Sequence, residues 1–552
     1  MSYTKYMDLS LLKRNLVLLA LIFLLALALR IFTLGSLPQS FHTDELAAGY
    51  IGKYIWLYGQ DIYGNVFPLY FDKFGDFRPI GIFWFSGFSS LLFGMNEFAV
   101  RLPSALFGSL TVIPVYLLVK ELFKKEKIAL LSSLFLAILP WHIVLSRATS
   151  EGVIGMFFLL FSVYFGFLYA KKRSLKFLLF SLVFGITTYF FYHVYRLLLP
   201  FIFLPLPLLV HEAKHRIRLA LFITIFFALT AILSLTNFGS GRFSQVAFYK
   251  NETLNNTIEK FTIGEGQNNV LVARTFHNKA VVYAREFIRQ YLTYYSVDFL
   301  FEDKGLPDRY VVPNQGLLFY GFIPILVLFF LYFHPFSKSH KTTWYILYLL
   351  LLMPLPAALT NEDSPNLHRS MLMIVPLVIM MGGGIFYFWH DSKKIIRNIF
   401  VGGVSIFIAL EFIFFWHQYS IHQVSNKPVY RNQGQKELIK YVQNNQGKYT
   451  TIYMPLEGDL PLYYLFYTQK MDKFEKGTIQ KRIKLKSIDN IQFVDGICIT
   501  DKIVHGELIV DPNSLIVEGG DCSEKTDMTS EMVVTRSDGT KAYKAVKILQ
   551  VK

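Results

Sequence analysis

The sequence predicts a mostly α-helical, polytopic membrane protein of about 11 spans that ends in a small soluble α/β domain. Its 552 residues are 53% hydrophobic and 17% aromatic, with a mean hydropathy of +0.38. Soluble chains do not sustain such values over this length. Apolar runs near the ~20 residues that cross a bilayer recur as far as residue 418, and the chain then becomes polar.

The first apolar run is predicted to be a membrane anchor. It is long, and its small-residue pattern at 26–28 lies inside the run and not after it, unlike the cleavage site of a signal peptide. The predicted spans lie near residues 15–34, 102–119, 128–146, 152–170, 175–192, 194–210, 219–236, 317–333, 344–360, 370–389 and 396–418.

The basic residues predict the orientation of these spans. With the N-terminus in the cytoplasm, Lys and Arg gather in the inside loops, as the positive-inside rule requires, whereas short outside turns carry only Arg147, Arg196 and Arg369. The net charge of +16 is thereby accounted for without a nucleic-acid partner. We expect a plasma-membrane protein whose C-terminal domain is extracytoplasmic. The basic inside loops are 120–127, 171–176, 214–218, 338–341 and 393–397.

This orientation requires that Pro79–Gly94 does not span, because every later loop would otherwise change sides. The segment is short for a span and is predicted to be an interfacial or re-entrant helix. It belongs to the first of two large outside loops, 35–101 and 237–316. The second loop predicts an amphipathic helix at 279–300, whose aromatic stripe is expected to pack against the bundle or the membrane surface.

Residues 425–552 are predicted to form a separate soluble domain after a membrane domain of residues 1–424. Both cysteines, Cys498 and Cys522, fall in it, and an extracytoplasmic position is compatible with a disulfide between them. Strands are predicted at Thr450–Met454, Gly496–Thr500, Leu508–Val510 and Met532–Thr535, and helices at Gln433–Gln443 and Leu460–Thr468.

Two adjacent carboxylates, Asp44 and Glu45, follow the first span within His42-Thr43-Asp44-Glu45. Carboxylates at the mouth of a membrane protein are costly to desolvate and therefore indicate chemistry or ion handling. A simpler interpretation is a polar cap on a helix predicted at 46–58, since Thr43 and Asp44 are good N-cap residues.

The predicted topology places further polar residues at the same ends of the spans. Arginine binds phosphate through its fork of donors, and a carboxylate can accept a proton from a hydroxyl. A carboxylate base beside such cations is suited to sugar transfer from a lipid phosphate. The candidate phosphate-binding residues are Arg78, Arg147, Arg196, Arg369 and His368, and the other site candidates are Glu151, His193, Asp76, Arg309 and Tyr310.

At these residues the chain resembles the GT-C class of membrane glycosyltransferases, and most of all the branch of protein O-mannosyltransferases and aminoarabinose (lipid A) transferases. The resemblance covers about residues 10–210. Its motifs are His42-Thr-Asp-Glu45, Arg78-Pro-Ile-Gly-Ile-Phe-Trp84, Leu92-Phe-Gly94, Phe98-Ala-Val-Arg101-Leu-Pro103, the basic turn Lys124–Lys127 and Glu151.

The resemblance implies a polyprenyl-phosphate sugar donor, an extracytoplasmic active site and inversion at the anomeric carbon. It also implies that Asp44 is the catalytic aspartate. Arg78 falls where the aminoarabinose transferases have a lysine near the lipid phosphate, and Glu151 falls where they have an aspartate. A divalent metal, held by Asp44 and Glu151 if at all, is left open, because the sequence offers no ligand cluster.

The predicted function is therefore transfer of a hexose or pentose to a hydroxyl on a protein, a glycolipid or a polysaccharide, with Asp44 as general base and Glu45 beside it. An alternative is a transporter or lipid flippase that couples ions through these carboxylates. Transporters usually place polar residues at mid-membrane in two related halves, a pattern that this sequence does not show. A further alternative is a non-catalytic scaffold, for which the charged layer has no evident use.

Overall fold

The computed structural model describes residues 9–73, 76–236, 247–250, 252–332, 340–362, 364–480 and 483–548. The chain forms two compact units. The first consists of Met1–Phe32, Ser104–Ser146 and Ser150–Trp416, and the second of Thr33–Pro103, Arg147–Thr149 and His417–Lys552. The loop after the first span is thus part of the same unit as the C-terminal segment. The domain boundary at residue 424 stays a prediction.

The first unit is helical, which confirms the predicted fold class for this part of the chain. Each predicted span contains an apolar helix, although several spans are shorter than predicted or divided into two helices. The helices that lie in it or lead into it are Leu9–Ile31, Glu97–Leu110, Val112–Phe123, Glu126–Ile138, Pro140–Arg147, Glu151–Lys172, Leu175–Thr188, His193–Phe203, Ala213–Ser234, Glu252–Gly266, Val270–Phe276, Lys279–Thr293, Val297–Leu300, Phe322–Tyr332, His340–Leu352, Leu355–Ala358, Ile374–Asp391 and Lys394–His417.

The span predicted at 128–146 is not one straight helix. Glu126–Ile138 and Pro140–Arg147 meet at an angle of 55°, because Pro140 has no amide hydrogen to continue the helical ladder. The carbonyls freed at the break are bound by Arg30, which donates to Ala137 O at 2.9 Å and to Leu136 O at 3.3 Å. A buried arginine thereby satisfies the carbonyls of a broken helix in an apolar environment.

By length and hydropathy, six helices in the described ranges can cross a membrane, or seven if the bent pair is one span. Four shorter apolar helices accompany them, among them Gly81–Phe93, which lies within the segment predicted not to span. The multi-pass character is confirmed, whereas the total of about 11 spans stays a prediction.

The amphipathic helix predicted at 279–300 is shorter than expected. It runs from Lys279 to Thr293, and a separate turn follows at Val297–Leu300. Asn278 caps its start by accepting from the amide of Val281. Its aromatic stripe packs on the bundle as expected, since Tyr291 donates to Leu351 O at 2.8 Å.

In the second unit, the helix Thr43–Tyr58 crosses the helix Gly81–Phe93 with almost no side-chain layer between them. A Cβ atom on Gly52 would lie 2.0 Å from the carbonyl oxygen of Phe83, and one on Gly87 would lie 2.1 Å from the carbonyl carbon of Gly52. A two-stranded antiparallel hairpin, Tyr70–Lys73 and Asp76–Pro79, leads into the second of these helices.

The C-terminal part of this unit is a six-stranded mixed sheet with helices, as the predicted α/β domain requires. Thr451–Pro455 pairs in parallel with Ile491–Val494 and with Ser514–Gly519, and the outer pairings are antiparallel. The strand order is Ser487–Ile488, Ile491–Val494, Thr451–Pro455, Ser514–Gly519, Lys541–Ile548 and Met528–Thr535, and the helices are Gln435–Asn445, Leu460–Tyr467 and Ile499–Val504.

Two of the four predicted strands are wrong. Gly496–Thr500 is a loop entering the helix Ile499–Val504, and Leu508–Val510 has no strand partner in the described sheet. The fully buried strand Ser514–Gly519 was missed although it carries the apolar run Leu515-Ile516-Val517. Cys498 and Cys522 form a disulfide across a separation of 24 residues.

Candidate active site

Asp44 lies in the first turn of the helix Thr43–Tyr58, which begins earlier than the predicted 46–58. The N-cap is His42, and not Thr43 or Asp44 as predicted. Its ring Nδ1 accepts from the amide of Asp44 at 3.1 Å, and its own amide donates to Glu45 Oε2 at 3.3 Å. Because His42 and Glu45 close this capping box, the carboxylate of Asp44 is not needed as a cap.

Two cations face Asp44. Lys73 forms an ion pair with its Oδ1, and Arg78 Nη2 lies 3.9 Å from its Oδ2. Arg78 is paired directly with Phe71 in the hairpin, and Phe71 and Lys73 are two residues apart on one strand. Side chains so related share one face of a sheet, so the hairpin delivers both cations to the same carboxylate.

The exposure of these three side chains is uneven. Lys73 is 7% exposed, whereas Asp44 and Arg78 are each 26% exposed. An ammonium group is rarely buried unless it is paired, so Asp44 is the counter-charge that allows Lys73 to be buried. The carboxylate and Arg78 are both open enough to meet a ligand.

Glu45 is buried, and both of its carboxylate oxygens accept hydrogen bonds. Arg101 donates to it through Nε at 2.9 Å and Nη2 at 3.0 Å, and the amide of Thr149 donates at 3.1 Å. Burial would raise the pKa of Glu45, but the charge and hydrogen bonds of Arg101 and the Thr149 amide outweigh it and hold that pKa below its ordinary value. Glu45 therefore orients the helix start.

The remaining donors of Arg101 fix the chain between the first span and the helix Thr43–Tyr58. Arg101 donates to Leu34 O at 3.3 Å, to Pro38 O at 2.8 Å and to Ser40 O at 2.5 Å. Arg147 acts in a similar way, since it donates to Leu37 O at 3.2 Å. The guanidinium of Arg147 is fully buried, and among its contacts is the ring of Tyr419.

In the first unit, the polar candidates form small local groups. Arg196 donates to Tyr189 O at 2.8 Å and contacts His193 Nδ1 at 3.1 Å. Glu151 is the first residue of the helix Glu151–Lys172, which Ser150 caps. Arg196 thus binds groups of its own segment, and Glu151 belongs to the first turn of its helix.

The groups around residues 309 and 368 also lie in the first unit. Arg309 stacks on the ring of Tyr310, whose centroid is 4.6 Å from that of His368. Arg369 forms an ion pair of 2.6 Å with Glu362 and donates to Thr360 Oγ1 at 2.8 Å. For Arg196, His368 and Arg369, as for Arg147, a role toward the donor phosphate stays a prediction. A place in the site stays a prediction for Glu151, His193, Arg309 and Tyr310.

Asp76 pairs with Lys73 in the hairpin through its backbone, and its side chain lies outside the described residues. Across the described ranges, no group of three or more His, Cys, Asp or Glu side chains could hold a metal ion.

Two residues of the site were missed by sequence reasoning. Lys73 could have been found, because Phe74-Gly75-Asp76 is a turn signal that makes 70–79 a hairpin and places position 73 on the face of Arg78. Asn432, which donates to Thr43 Oγ1 at 2.8 Å, lies 389 residues away along the chain and gave no local signal.

The fold agrees with the class that the motifs predicted. The chain resembles the GT-C membrane glycosyltransferases, and residues 77–237 match a family model described as dolichyl-phosphate-mannose-protein mannosyltransferase. A segment of 118 residues is 32% identical to YkcB of Bacillus subtilis, a protein named as a mannosyltransferase. The match covers 21% of this chain and only 16% of that protein.

A solved structure shares this fold over nearly the whole chain. ArnT from Cupriavidus metallidurans in the apo state is 11% identical, with a TM-score of 0.50 and coverage of 97% of this chain and 98% of that chain. Its complex with undecaprenyl phosphate is 13% identical to this chain, with a TM-score of 0.49 and coverage of 98% of both chains. The oligosaccharyltransferase AglB from Archaeoglobus fulgidus is 13% identical, with a TM-score of 0.48. That match covers 83% of this chain and 64% of AglB. The predicted resemblance is confirmed.

Proposed function

We propose that this protein is an inverting membrane glycosyltransferase that moves a sugar from a polyprenyl-phosphate-linked donor to a hydroxyl acceptor, with Asp44 as the general base. The observation that carries the proposal is the partly exposed carboxylate of Asp44 between Lys73 and Arg78, on a rigidly capped helix start. ArnT, whose fold is similar, is known with undecaprenyl phosphate bound.

The proposed step is a single displacement. Asp44 takes the proton of the acceptor hydroxyl, whose oxygen forms a bond to the anomeric carbon. The bond from that carbon to the phosphate oxygen breaks, and polyprenyl phosphate leaves with the electron pair. Lys73 and Arg78 stabilise the charge that develops on the phosphate, and preorganised electrostatic stabilisation of this kind is usually the largest contribution to catalysis.

The ion pairs of the free protein give donor binding a second effect. In the free protein, Lys73 and Arg78 neutralise the charge of the Asp44 carboxylate. A donor phosphate competes for the same two cations, and a carboxylate released from a cation is a stronger base. We infer that donor binding frees Asp44 to accept the acceptor's proton, so that the base becomes active only when the leaving group is in place.

The disulfide between Cys498 and Cys522 supports an extracytoplasmic position for the C-terminal segment, since such bonds persist in oxidising compartments. The proposal assigns no step to a metal. The acceptor is a hydroxyl on a protein, a glycolipid or a polysaccharide, and membranes supplied with each class in turn identify which one receives the sugar.

The test is sugar transfer from a polyprenyl-phosphate sugar in membranes containing Asp44→Asn, with Asp72→Asn as the control. Asp72 lies on the opposite face of the same hairpin. We expect a loss of about 10²-fold or more for Asp44→Asn and little change for Asp72→Asn. Transfer at the wild-type rate by Asp44→Asn at equal expression would remove Asp44 from this role. Lipid movement without sugar transfer would instead favour the transporter alternative.

Arg78 provides a second test. Replacement by alanine should raise the donor KM more than replacement by lysine, because lysine keeps the charge but loses the fork geometry. Equal effects of the two replacements would contradict a direct phosphate contact by Arg78.

A further inference from the structure

The ends of four helices in the first unit carry a cluster of basic side chains. One pair of helices meets at residues 124–125 and another at residues 173–174, and both turns are predicted to face the cytoplasm. The stretches 120–127 and 171–176 together hold eight basic residues and two carboxylates. The basic cluster consists of Lys120, Lys124, Lys125, Lys127, Lys171, Lys172, Arg173 and Lys176.

The two carboxylates are bound by lysines of the cluster itself. Glu121 forms ion pairs with Lys124 of its own turn and with Lys171 of the other turn, the second at 3.2 Å. Glu126 pairs with Lys120 at 2.6 Å. Glu121 therefore joins the two turns into one surface, and three of the eight basic residues share both carboxylates.

The other five cations form no ion pair with a carboxylate among the described residues. Two of them converge, since Lys172 and Lys176 each place Nζ 5.2 Å from the centroid of the Phe177 ring. Arg173 belongs to the same turn, and its buried Nη1 has no hydrogen-bond partner in the described part of the chain. Like charges gathered in this way repel one another unless an anion is bound.

The helix Leu175–Thr188 adds an apolar surface to this turn. Its side chains Leu175, Leu179 and Val183 are exposed, and residues four apart lie on the same side of a helix. Lys176 thus stands beside a strip of exposed apolar side chains at the start of a predicted span. An anion that carries acyl chains would contact both the cations and this strip, whereas a soluble anion would contact the cations alone.

We propose that the basic cluster binds an anionic phospholipid, with Lys172, Arg173 and Lys176 at its phosphate and its acyl chains along the exposed side of the helix Leu175–Thr188. Groups of about four to eight Lys and Arg beside a membrane span attract the anionic lipids of the cytoplasmic leaflet. Arginine adds a fork of donors that suits phosphate.

This lipid site is separate from the proposed active site. Glu151, a candidate of that site, and Lys172 are the two ends of one helix of 22 residues, which places them roughly 30 Å apart. The inference therefore does not depend on the proposed transfer reaction.

The test is a titration of the purified full-length protein in neutral detergent with phosphatidylglycerol, followed by native mass spectrometry. The double variant Lys172→Gln and Lys176→Gln is compared with Lys393→Gln and Lys394→Gln, which removes two exposed charges from another predicted cytoplasmic turn. We expect the apparent Kd to rise about tenfold or more in the first variant and to stay within about twofold of the wild type in the second. Lys172→Arg with Lys176→Arg should bind as the wild type does, because both charges are kept.

Two competitors identify what occupies the site. Phosphatidylcholine, which has the same chains but no net charge, and inorganic phosphate in excess should both leave phosphatidylglycerol bound. Wild-type affinity in Lys172→Gln with Lys176→Gln would overturn the inference, and so would an equal loss in Lys393→Gln with Lys394→Gln. Displacement by inorganic phosphate would show a site for a soluble anion, and displacement by phosphatidylcholine a site for any lipid; either result contradicts the proposal.

Discussion

Glu45 and Arg101 form a buried, two-pronged ion pair, with Arg101 Nε 2.9 Å from Oε1 and Nη2 3.0 Å from Oε2. The pair joins the start of the helix Thr43–Tyr58 to the helix that begins at Glu97. The neighbouring carboxylates Asp44 and Glu45 are therefore separated in role: one faces two cations at a partly open position, and the other is locked into the structure.

Removal of one partner of this pair should be strongly destabilising. Arg101→Ala leaves Glu45 buried without its counter-charge, and breaking a buried pair in this way costs about 3–5 kcal/mol. Denaturant or thermal unfolding of the purified protein in detergent measures the loss. Lys436→Ala serves as the control, because the pair of Lys436 with Glu97 is more exposed and should contribute less than about 1 kcal/mol. Equal losses in the two variants would contradict the assignment.

The same pair predicts a pH dependence of stability. Burial raises the pKa of Glu45, but Arg101 and the Thr149 amide together lower it by more than burial raises it. The pKa therefore lies below the ordinary value of 4.5. A group with a lowered folded pKa stabilises the protein fully above its unfolded pKa and loses that contribution as pH falls through the folded pKa. The difference in unfolding free energy between wild type and Glu45→Gln should therefore be constant near neutrality and shrink below about pH 4.5. A difference that grows on acidification would contradict this sign.

Asp44 and Arg78 could be selected as candidates from the sequence because their signals are local. A polar tetrapeptide directly after an apolar run, and an arginine before an apolar helix, are visible without a fold. The N-cap was assigned wrongly for a related reason. Histidine is not among the preferred caps, and its ring acts here in a capping box that Glu45 completes.

The contact of Asn432 with Thr43 could not be predicted, because no local pattern links positions so far apart in the chain. The strand errors have a different cause. The β-branched residues of Gly496–Thr500 favour a strand, but Cys498 is tied to Cys522 and the chain turns directly into a helix. Tertiary constraints overrode the local propensity.

Lys73 should be as important for transfer as Arg78. Lys73→Met removes the most buried charge beside Asp44, and loss of one preorganised group that stabilises a leaving group costs about 10²–10³-fold in kcat. Lys53→Met is the control, since Lys53 is a half-buried lysine of the helix Thr43–Tyr58 that is not in the site. The measurement is kcat and donor KM at saturating acceptor. A Lys73→Met variant with wild-type kcat would exclude Lys73 from stabilising the leaving phosphate.

The disulfide should stabilise the C-terminal sheet. It closes a loop with a sequence separation of 24 residues, for which chain entropy predicts about 3 kcal/mol. Unfolding should therefore occur at lower denaturant concentration with a reductant present. The double variant Cys498→Ser and Cys522→Ser should unfold at that lower concentration with or without reductant, because the chain has only these two cysteines. A reductant effect that persists in the double variant would have another origin.

The contact between Gly52 and Gly87 should be the position of the second unit least tolerant of an added methyl group. In Gly52→Ala the new Cβ would lie 2.0 Å from the Phe83 carbonyl oxygen, a backbone atom that cannot rotate away. The two helices would have to separate, and overpacking of this kind costs about 1–3 kcal/mol. Since one of these helices carries Asp44, transfer activity should fall together with stability.

Gly402→Ala is the matched control for this helix contact. Gly402 is also helical, but a Cβ there would meet no atom within 4 Å. Alanine is favoured over glycine in a helix by about 1 kcal/mol, so Gly402→Ala should leave stability unchanged or raise it. Melting temperatures of both variants in one detergent, measured beside transfer rates, decide the matter. If Gly52→Ala melts at or above the wild-type temperature, the two helices do not cross as closely as described, and the placement of Asp44 by this crossing is wrong.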